Sequence, residues 1–280
     1  CLVGSEMCIR DRSWADEAQL ILTRPDSGIH TVKDLKGRRF GLPDWASAQI
    51  DFTRAQALRG LENALKLAGL QVGDVELVNY RYTGTFSDRP VRNVAGTPVS
   101  ASQSEGRNLE LAALLRGEVD AIFLKGASAV QLAHAFALHT VIDTGSHPDP
   151  LIRSNNGTPR TLAVDEHLLQ AHPQVARTLL GAVLRAERWA HQHPDETRRY
   201  LARETNSSEY WVSVAYGNDA HLRLSTGLDD QAIDALQDFV EFLKRWRFIP
   251  ARFDVREWID RRPLQHLQAP TPMDRKPVTP

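Results

Sequence analysis

A chain of 280 residues, 42% hydrophobic and 25% charged, with a formal net charge of −1, is long enough to bury a sizeable core as one large or two modest domains. The balanced charge gives no basis for a nucleic-acid partner, whose binding leans on clustered Lys and Arg. No apolar run approaches the roughly 20 residues that span a bilayer, so no transmembrane segment is predicted.

Both cysteines, Cys1 and Cys8, lie in the opening string CLVGSEMCIRDR. That string resembles translated sequencing-adapter read-through. The alternative, a lipoprotein or secretory leader, would need an apolar stretch and a small-residue cleavage site that the string lacks. Residues 1–12 are therefore set aside as an expected artefact. The remainder has no cysteine, so a disulfide framework, a thiolate metal site and a Cys nucleophile are not available within it.

In chain order, Ala18–Thr23 is a short apolar run expected to be a buried strand, stopped by Pro25-Asp26-Ser27-Gly28. Thr31 and Asp34 have the spacing of a capping box, opening one helical turn that ends at Gly37. Arg39–Leu42 is a second strand closed by Pro43. From about Ala46 a long helix is predicted, with Ile50, Leu58, Leu61, Leu65 and Ala68 at three- and four-residue steps and Gly69 at its end. Strand Val75–Val78, helix Leu109–Leu115, strand Val119–Leu124, helix Ser128–Leu138 and strand Thr140–Asp143 follow. This alternation implies an α/β domain with parallel pairing. Between them, Asn79–Arg107 is a long polar loop, expected to be an ordered cover because Tyr80, Tyr82 and Phe86 give it something to bury.

After a strand Thr161–Val164, with Asp165 as N-cap, the pattern turns helical. A helix over Gln174–His191 carries Val175, Leu179, Val183 and Ala186 on one face with Trp189 beside it. Helices over Asp195–Glu204, Tyr210–Tyr216 and Gln231–Trp246 follow, the last with Ile233, Leu236, Val240 and Leu243 on one stripe. Trp189, Trp211, Trp246 and Trp258 are expected in the core. The Pro-rich tail after Pro263 is expected to be disordered. Ten histidines lie scattered without metal-ligand spacing, so neither a metal nor a cofactor is predicted.

Several phrases resemble one family in their order and spacing. IHTVKDLKGRRFGLP (Ile29–Pro43), ALLRGEVDAIFL (Ala113–Leu124) and HPDETRRYLARE (His193–Glu204) resemble nitrate-, sulfonate- and taurine-type solute-binding proteins of ABC importers. The resemblance implies a type II periplasmic-binding-protein-like α/β fold, two lobes with parallel-rich sheets flanked by helices. It runs from about Ala18 to Asp260. Residues 13–29 would be a crossing segment of lobe one, 30–145 lobe two, 146–262 the mostly helical C-terminal part of lobe one, and 263–280 the tail. Lobe one would be incomplete, because family members begin with further elements ahead of the crossing strand.

The implied function is a solute-binding receptor, a monomer in the periplasm or anchored at the cell surface. It would capture a small organic anion (a sulfonate, taurine or a nitrate-like ion) and deliver it to an ABC permease. Hydroxybiphenyl sulfinate desulfinases, carbon–sulfur lyases of the same fold, are also similar. They share the DL-GRR-G phrase, the strand Val72–Val78 and a long insertion after it. That alternative implies a cytoplasmic enzyme whose nucleophilic cysteine lies in a segment not present in this chain. A sensory domain of the same fold is the third reading.

In a two-lobed binder the ligand meets strand ends and helix starts, where free N–H groups suit anions. Pro43, Asp44, Trp45 and Ser47 occupy one such turn. Ser47 can donate to a ligand and Trp45 can wall it; alternatively Asp44 or Ser47 only caps the helix and Trp45 only packs. Lys125, Gly126 and Ala127 occupy the equivalent turn one unit later, where Lys125 either neutralises an anion or is merely solvated. Asn155 and Asn156 precede the return to lobe one, either as ligand contacts or as an Asn-Gly turn. Trp14 is a further cleft candidate. Arg54 is expected at the surface.

Overall fold

Gln19–Thr23 is buried at every position, the condition for a strand covered on both faces. Leu20 and Leu22 enter one apolar cluster and Ile21 the other, as the alternation of side chains along a strand requires. This strand belongs to a computed structural model that describes residues 7–14, 16–45, 50–83, 91–92, 98–99 and 108–268.

In chain order the elements are β1 (Met7–Trp14), β2 (Gln19–Thr23), β3 (Arg39–Asp44), α1 (Phe52–Leu67), β4 (Glu76–Arg81), β5 (Val91–Arg92), β6 (Pro98–Val99), α2 (Leu109–Arg116), β7 (Ala121–Lys125), α3 (Gly126–Ala135), β8 (His139–Asp143), α4 (Pro150–Arg153) and β9 (Arg160–Asp165). The helical part holds α5 (Glu166–Ala171), α6 (Pro173–Gln192), α7 (Pro194–Glu204), α8 (Glu209–Tyr216), α9 (Ala220–Arg223), then β10 (Ser225–Gly227), α10 (Asp230–Arg245), α11 (Val255–Trp258) and α12 (Arg262–Gln268). Among the described residues no helix is long and apolar enough to cross a membrane.

Five strands form a sheet in the order β4-β3-β7-β2-β8. β3 runs parallel to β4 and β7, as the strand–helix alternation predicts. β2 is antiparallel to both β7 and β8, so the sheet is mixed rather than wholly parallel. The reason is connectivity: β2 enters directly from a second sheet, with no crossover helix to impose its direction. That second sheet is three-stranded and antiparallel, β10-β1-β9. Its central strand starts inside the string set aside above, with Cys8 opposite Val164 and Ser13 opposite Thr226. β5 and β6 pair within the Asn79–Arg107 loop; Phe86 lies outside the described residues.

The core has two layers, one on each face of the five-stranded sheet. On one, Phe40, Leu42, Leu58, Leu61 and Leu65 meet Phe239, Phe242 and Leu243 of α10. On the other, Leu111, Leu114, Val119 and Ile122 meet Ala202, Val212 and Ala215 of α7 and α8. Helices that follow β9 thus return to this sheet, across the division expected at residues 145/146.

α6 buries a different face from the expected one. Val175 and Leu179 are about half open and Trp189 is exposed, whereas Ala176, Leu180 and Gly181 are covered. The small residues on that face admit α12, whose Leu267 lies 3.7 Å from a Cβ built on Gly181, and Leu180 packs with Leu228 and Leu264. Trp189 is therefore not core; it stacks on His193 at 4.5 Å. α12 itself occupies the start of the expected disordered tail, and 269–280 lie outside the described residues.

A helical glycine ordinarily gives up about 1 kcal/mol relative to alanine. At Gly60 of α1 the sign reverses, because a Cβ would stand 2.0 Å from the buried Phe123 ring. Gly60→Ala is expected to lower stability by about 1–3 kcal/mol through overpacking, measured by denaturant unfolding. A stabilised variant would contradict this packing.

Candidate functional site

From β3 the chain passes through α1 to β4 on one side, then returns through α2 to β7 on the other side of β3. The crossover direction reverses between β3 and β7, and open α/β sheets hold ligands in the crevice at the carboxyl ends of such strands. Pro43, Asp44 and Trp45 end β3, and Lys125, Gly126 and Ala127 end β7 and begin α3. The two groups picked from the sequence therefore share one edge.

Lys125 is buried there. Its ammonium meets Glu17 Oε1 at 3.1 Å, the Asn156 carbonyl at 2.7 Å and Thr158 Oγ1 at 3.0 Å. Those contacts occupy all three of its N–H donors. Glu17 Oε2 accepts from the Tyr216 hydroxyl of α8 at 3.0 Å. Burial lowers the Lys125 pKa, with Glu17 opposing the shift, and burial followed by the Glu17 charge raises that of Tyr216. Gly126 has φ +77, and a Cβ on it would lie 2.8 Å from Glu17 Oε2. Glycine is required twice over: by the left-handed backbone and by the carboxylate beside it. Ala127 is buried.

The turn at Asn155–Thr158 closes with reciprocal backbone hydrogen bonds of 2.9 Å. Asn155 is itself buried, donating to Gln19 Oε1 at 2.9 Å and the Gln56 carbonyl at 3.1 Å. Asn156, half-buried, gives its carbonyl to Lys125. The Asn-Gly segment is thus a turn, and one fastened to β2, α1 and β7 together. Arg153 pairs with Asp16 at 2.9 Å on the same connectors.

On the β3 side the cap of α1 is Asp51, rather than Asp44 or Ser47. Asp51 accepts from Arg54 N at 2.9 Å and from Trp45 N at 2.6 Å. The helix begins at Phe52 rather than near Ala46, and its own carboxylate closes its N-terminus. Asp44 faces Arg81 at 3.4 Å, so its charge is offset. Trp45 is buried and stacks on Tyr82 with ring centroids 4.3 Å apart. The Tyr82 hydroxyl donates to Glu110 Oε2 at 2.7 Å and accepts from Leu109 N at 2.9 Å. Burial pushes the Glu110 carboxyl up, and burial then the Glu110 charge push Tyr82 up. Arg54 donates through Nη1 to the Pro43 carbonyl at 3.0 Å and to Asn79 Oδ1 at 2.7 Å. No carboxylate pairs with it among the described residues.

Ser47 and the Trp14 side chain lie outside the described residues. Among the described residues no group of three or more His, Cys, Asp or Glu can hold a metal ion. Sequence reasoning missed Glu17, Tyr82, Glu110 and Tyr216 and expected Arg54 at the surface. Only the polar loop carrying Tyr82 signalled any of them.

No protein-family model matches the chain. In sequence it is similar to the 2'-hydroxybiphenyl-2-sulfinate desulfinase of Rhodococcus erythropolis, 27% identical over 251 residues, covering 80% of this chain and 65% of that protein. The chain thus spans 65% of the length of the curated relatives it matches. Its fold is shared with a solved desulfurization enzyme, with TM-score 0.69, 22% identity, and 94% of this chain and 79% of that one covered. It is shared also with the alkanesulfonate-binding protein of Xanthomonas axonopodis pv. citri bound to MOPS, with TM-score 0.61, 17% identity, and 92% and 75% covered. The type II periplasmic-binding-protein-like α/β architecture expected from the sequence is the fold of this chain.

Two variants probe the buried charges. Lys125→Met leaves Glu17 buried without its ammonium and is expected to cost about 3–5 kcal/mol; adding Glu17→Gln should recover part of that loss in a double-mutant cycle. Glu110 has a folded pKa above its unfolded value of 4.5. The stability it contributes is complete below that value and is lost as pH rises through the folded pKa. Glu110→Gln should therefore raise the unfolding midpoint relative to the parent at pH 8, with the gain vanishing near pH 4. A gain independent of pH would contradict burial as the cause.

Proposed function

We propose that the crevice at the carboxyl ends of β3 and β7 binds a small organosulfur anion, a sulfonate or sulfinate. The observation that carries this reading is Arg54. Its guanidinium is fixed by the Pro43 carbonyl and Asn79 beside the switch point, with no carboxylate partner among the described residues. A planar cation held in place suits an oxyanion, and Trp45 stacked on Tyr82 supplies an aromatic wall. The sulfur chemistry is supported by the relatives, one named for a biphenyl sulfinate and one bound to MOPS. Pro43, Asp44, Gly126, Ala127, Asn155 and Asn156 form the surrounding frame, with Lys125 as its internal anchor; Trp14 and Ser47 are proposed as ligand contacts from their places in the sequence.

The chain then serves as the ligand-binding part of a receptor, in the periplasm or at the cell surface, handing its ligand to an ABC permease. Closure of the two sheets about their connectors is driven by contacts that the ligand makes better in the closed state. A second reading, a desulfinase-like lyase, is favoured by one observation: the likeness to the desulfinase extends over 251 residues of sequence.

Calorimetric titration of the 280-residue chain with MOPS, benzenesulfonate, 2'-hydroxybiphenyl-2-sulfinate and nitrate, with sulfite assayed in parallel, separates these. Saturable binding of the sulfur anions without sulfite is expected, and Arg54→Gln should weaken it by roughly tenfold or more, the loss of one charge-assisted contact. Release of sulfite would replace the receptor with the lyase. Binding of nitrate alone, or of none of the four, would overturn the proposal.

A further inference from the structure

Away from the crevice, a recess of about 500 Å³ opens between α6, α7 and the chain entering β10. Val183, Glu187 and Trp189 line it from α6, Tyr200 from α7, and Leu224 from just before β10. None of the residues named above for the crevice lines it. One atom here lacks what its chemistry requires. Glu187 Oε2 is closed off from solvent and accepts no hydrogen bond among the described residues, and a covered carboxylate oxygen without a donor is costly. We infer that this recess is a second ligand site, taking a primary arylalkylammonium ion whose N–H groups donate to Glu187 and whose ring packs against Trp189 and Tyr200. The inference does not rest on the crevice reading.

The walls are fastened to one another. His191 Nε2 of α6 donates to the Leu224 carbonyl at 3.0 Å, since a carbonyl can only accept. Thr197 Oγ1 of α7 donates to the Ala190 carbonyl of α6 at 3.3 Å. Thr197 is itself buried and lines the recess, so its hydroxyl oxygen is a second acceptor for an ammonium.

Charge and shape agree on the ligand. Glu187 has Val183 one turn before it and Ala190 one turn after it, so its carboxylate stands in an apolar stripe. No Lys or Arg pairs with it among the described residues. Trp189 and Tyr200 meet edge to face, with ring centroids 5.8 Å apart. His193 covers one face of Trp189, which leaves its other face and edge for a ligand. The Arg203 guanidinium already lies 6.0 Å from the Tyr200 ring centroid. The ammonium therefore goes to the carboxylate, and the hydrocarbon goes to the aromatic wall. Recesses that hold small organic ligands run to roughly 300–1,000 Å³, which gives a ring with a short arm ample room. An anion is rejected by the same carboxylate, so the two sites take ligands of opposite charge.

The test titrates phenethylamine, tyramine and 2-phenylethanol into the 280-residue chain by calorimetry at pH 7. The alcohol has the same body as phenethylamine with a hydroxyl in place of the ammonium. Saturable binding of both amines is expected, with the alcohol weaker by roughly tenfold or more, the loss of one charge-assisted contact. Glu187→Gln, similar in size and uncharged, should bring phenethylamine down to the level of the alcohol. Tyr200→Ala, at an exposed position, should weaken amines and alcohol alike. Should Glu187→Gln fail to fold, the comparison of amine with alcohol on the parent chain decides. Equal affinities for phenethylamine and 2-phenylethanol, unchanged amine binding in folded Glu187→Gln, or binding of neither amine would overturn the site. A dimer in light scattering with no amine bound would give the recess to a second copy and overturn it too.

Discussion

A lysine ammonium buried away from water has to find three acceptors or lose its charge, and Lys125 finds them on two separate connectors of the chain. Glu17 comes from the connector into β2; Asn156 and Thr158 come from the connector into β9. These are the two places where the chain passes between the three-stranded and the five-stranded sheet. The ion pair is a poor source of net stability, because desolvation offsets most of its Coulomb attraction. Its consequence is positional: neither connector can shift without stranding a charge. Gly126, with its left-handed backbone against the Glu17 carboxylate, shows how closely the surroundings conform to that pair.

With the connectors fixed at β7, the variable part of the site falls to the end of β3. There the polar groups are arranged differently. Asp51 closes α1, Arg81 offsets Asp44, and Tyr82 leans on Glu110, which leaves Arg54 as a held cation facing no carboxylate among the described residues. An anion site built this way relies on a side-chain guanidinium rather than on an open helix start. The apolar surface next to it is Trp45, stacked on Tyr82.

Much of the fold is legible in the sequence because periodicity and punctuation agree. The helix before Gly117 and the strands at Gln19–Thr23 and His139–Asp143 fall within one residue or so of expectation. The direction of β2 is not legible, since an apolar run says nothing about which way it is paired. α6 misleads because it carries apolar residues on two faces, and the smaller one wins by admitting α12. At the site, spacing finds the right turns but not the roles within them. A lysine after a strand looks the same whether solvated or buried, and its partner Glu17 is distant in sequence. The cap of α1 is equally ambiguous, with Asp44, Ser47 and Asp51 all close before one helix; only the observed hydrogen bonds select Asp51.

The central claim is that the anion is met by Arg54 while Lys125 stays internal. It is tested most directly by a crystal structure of the chain with 3-bromopropanesulfonate, located by anomalous scattering from bromine. Sulfonate oxygens are expected within hydrogen-bonding distance of Arg54, with Lys125 still bound to Glu17 and Asn156. A sulfonate seated on Lys125 with the Glu17 contact broken, or bound away from Arg54, would contradict it.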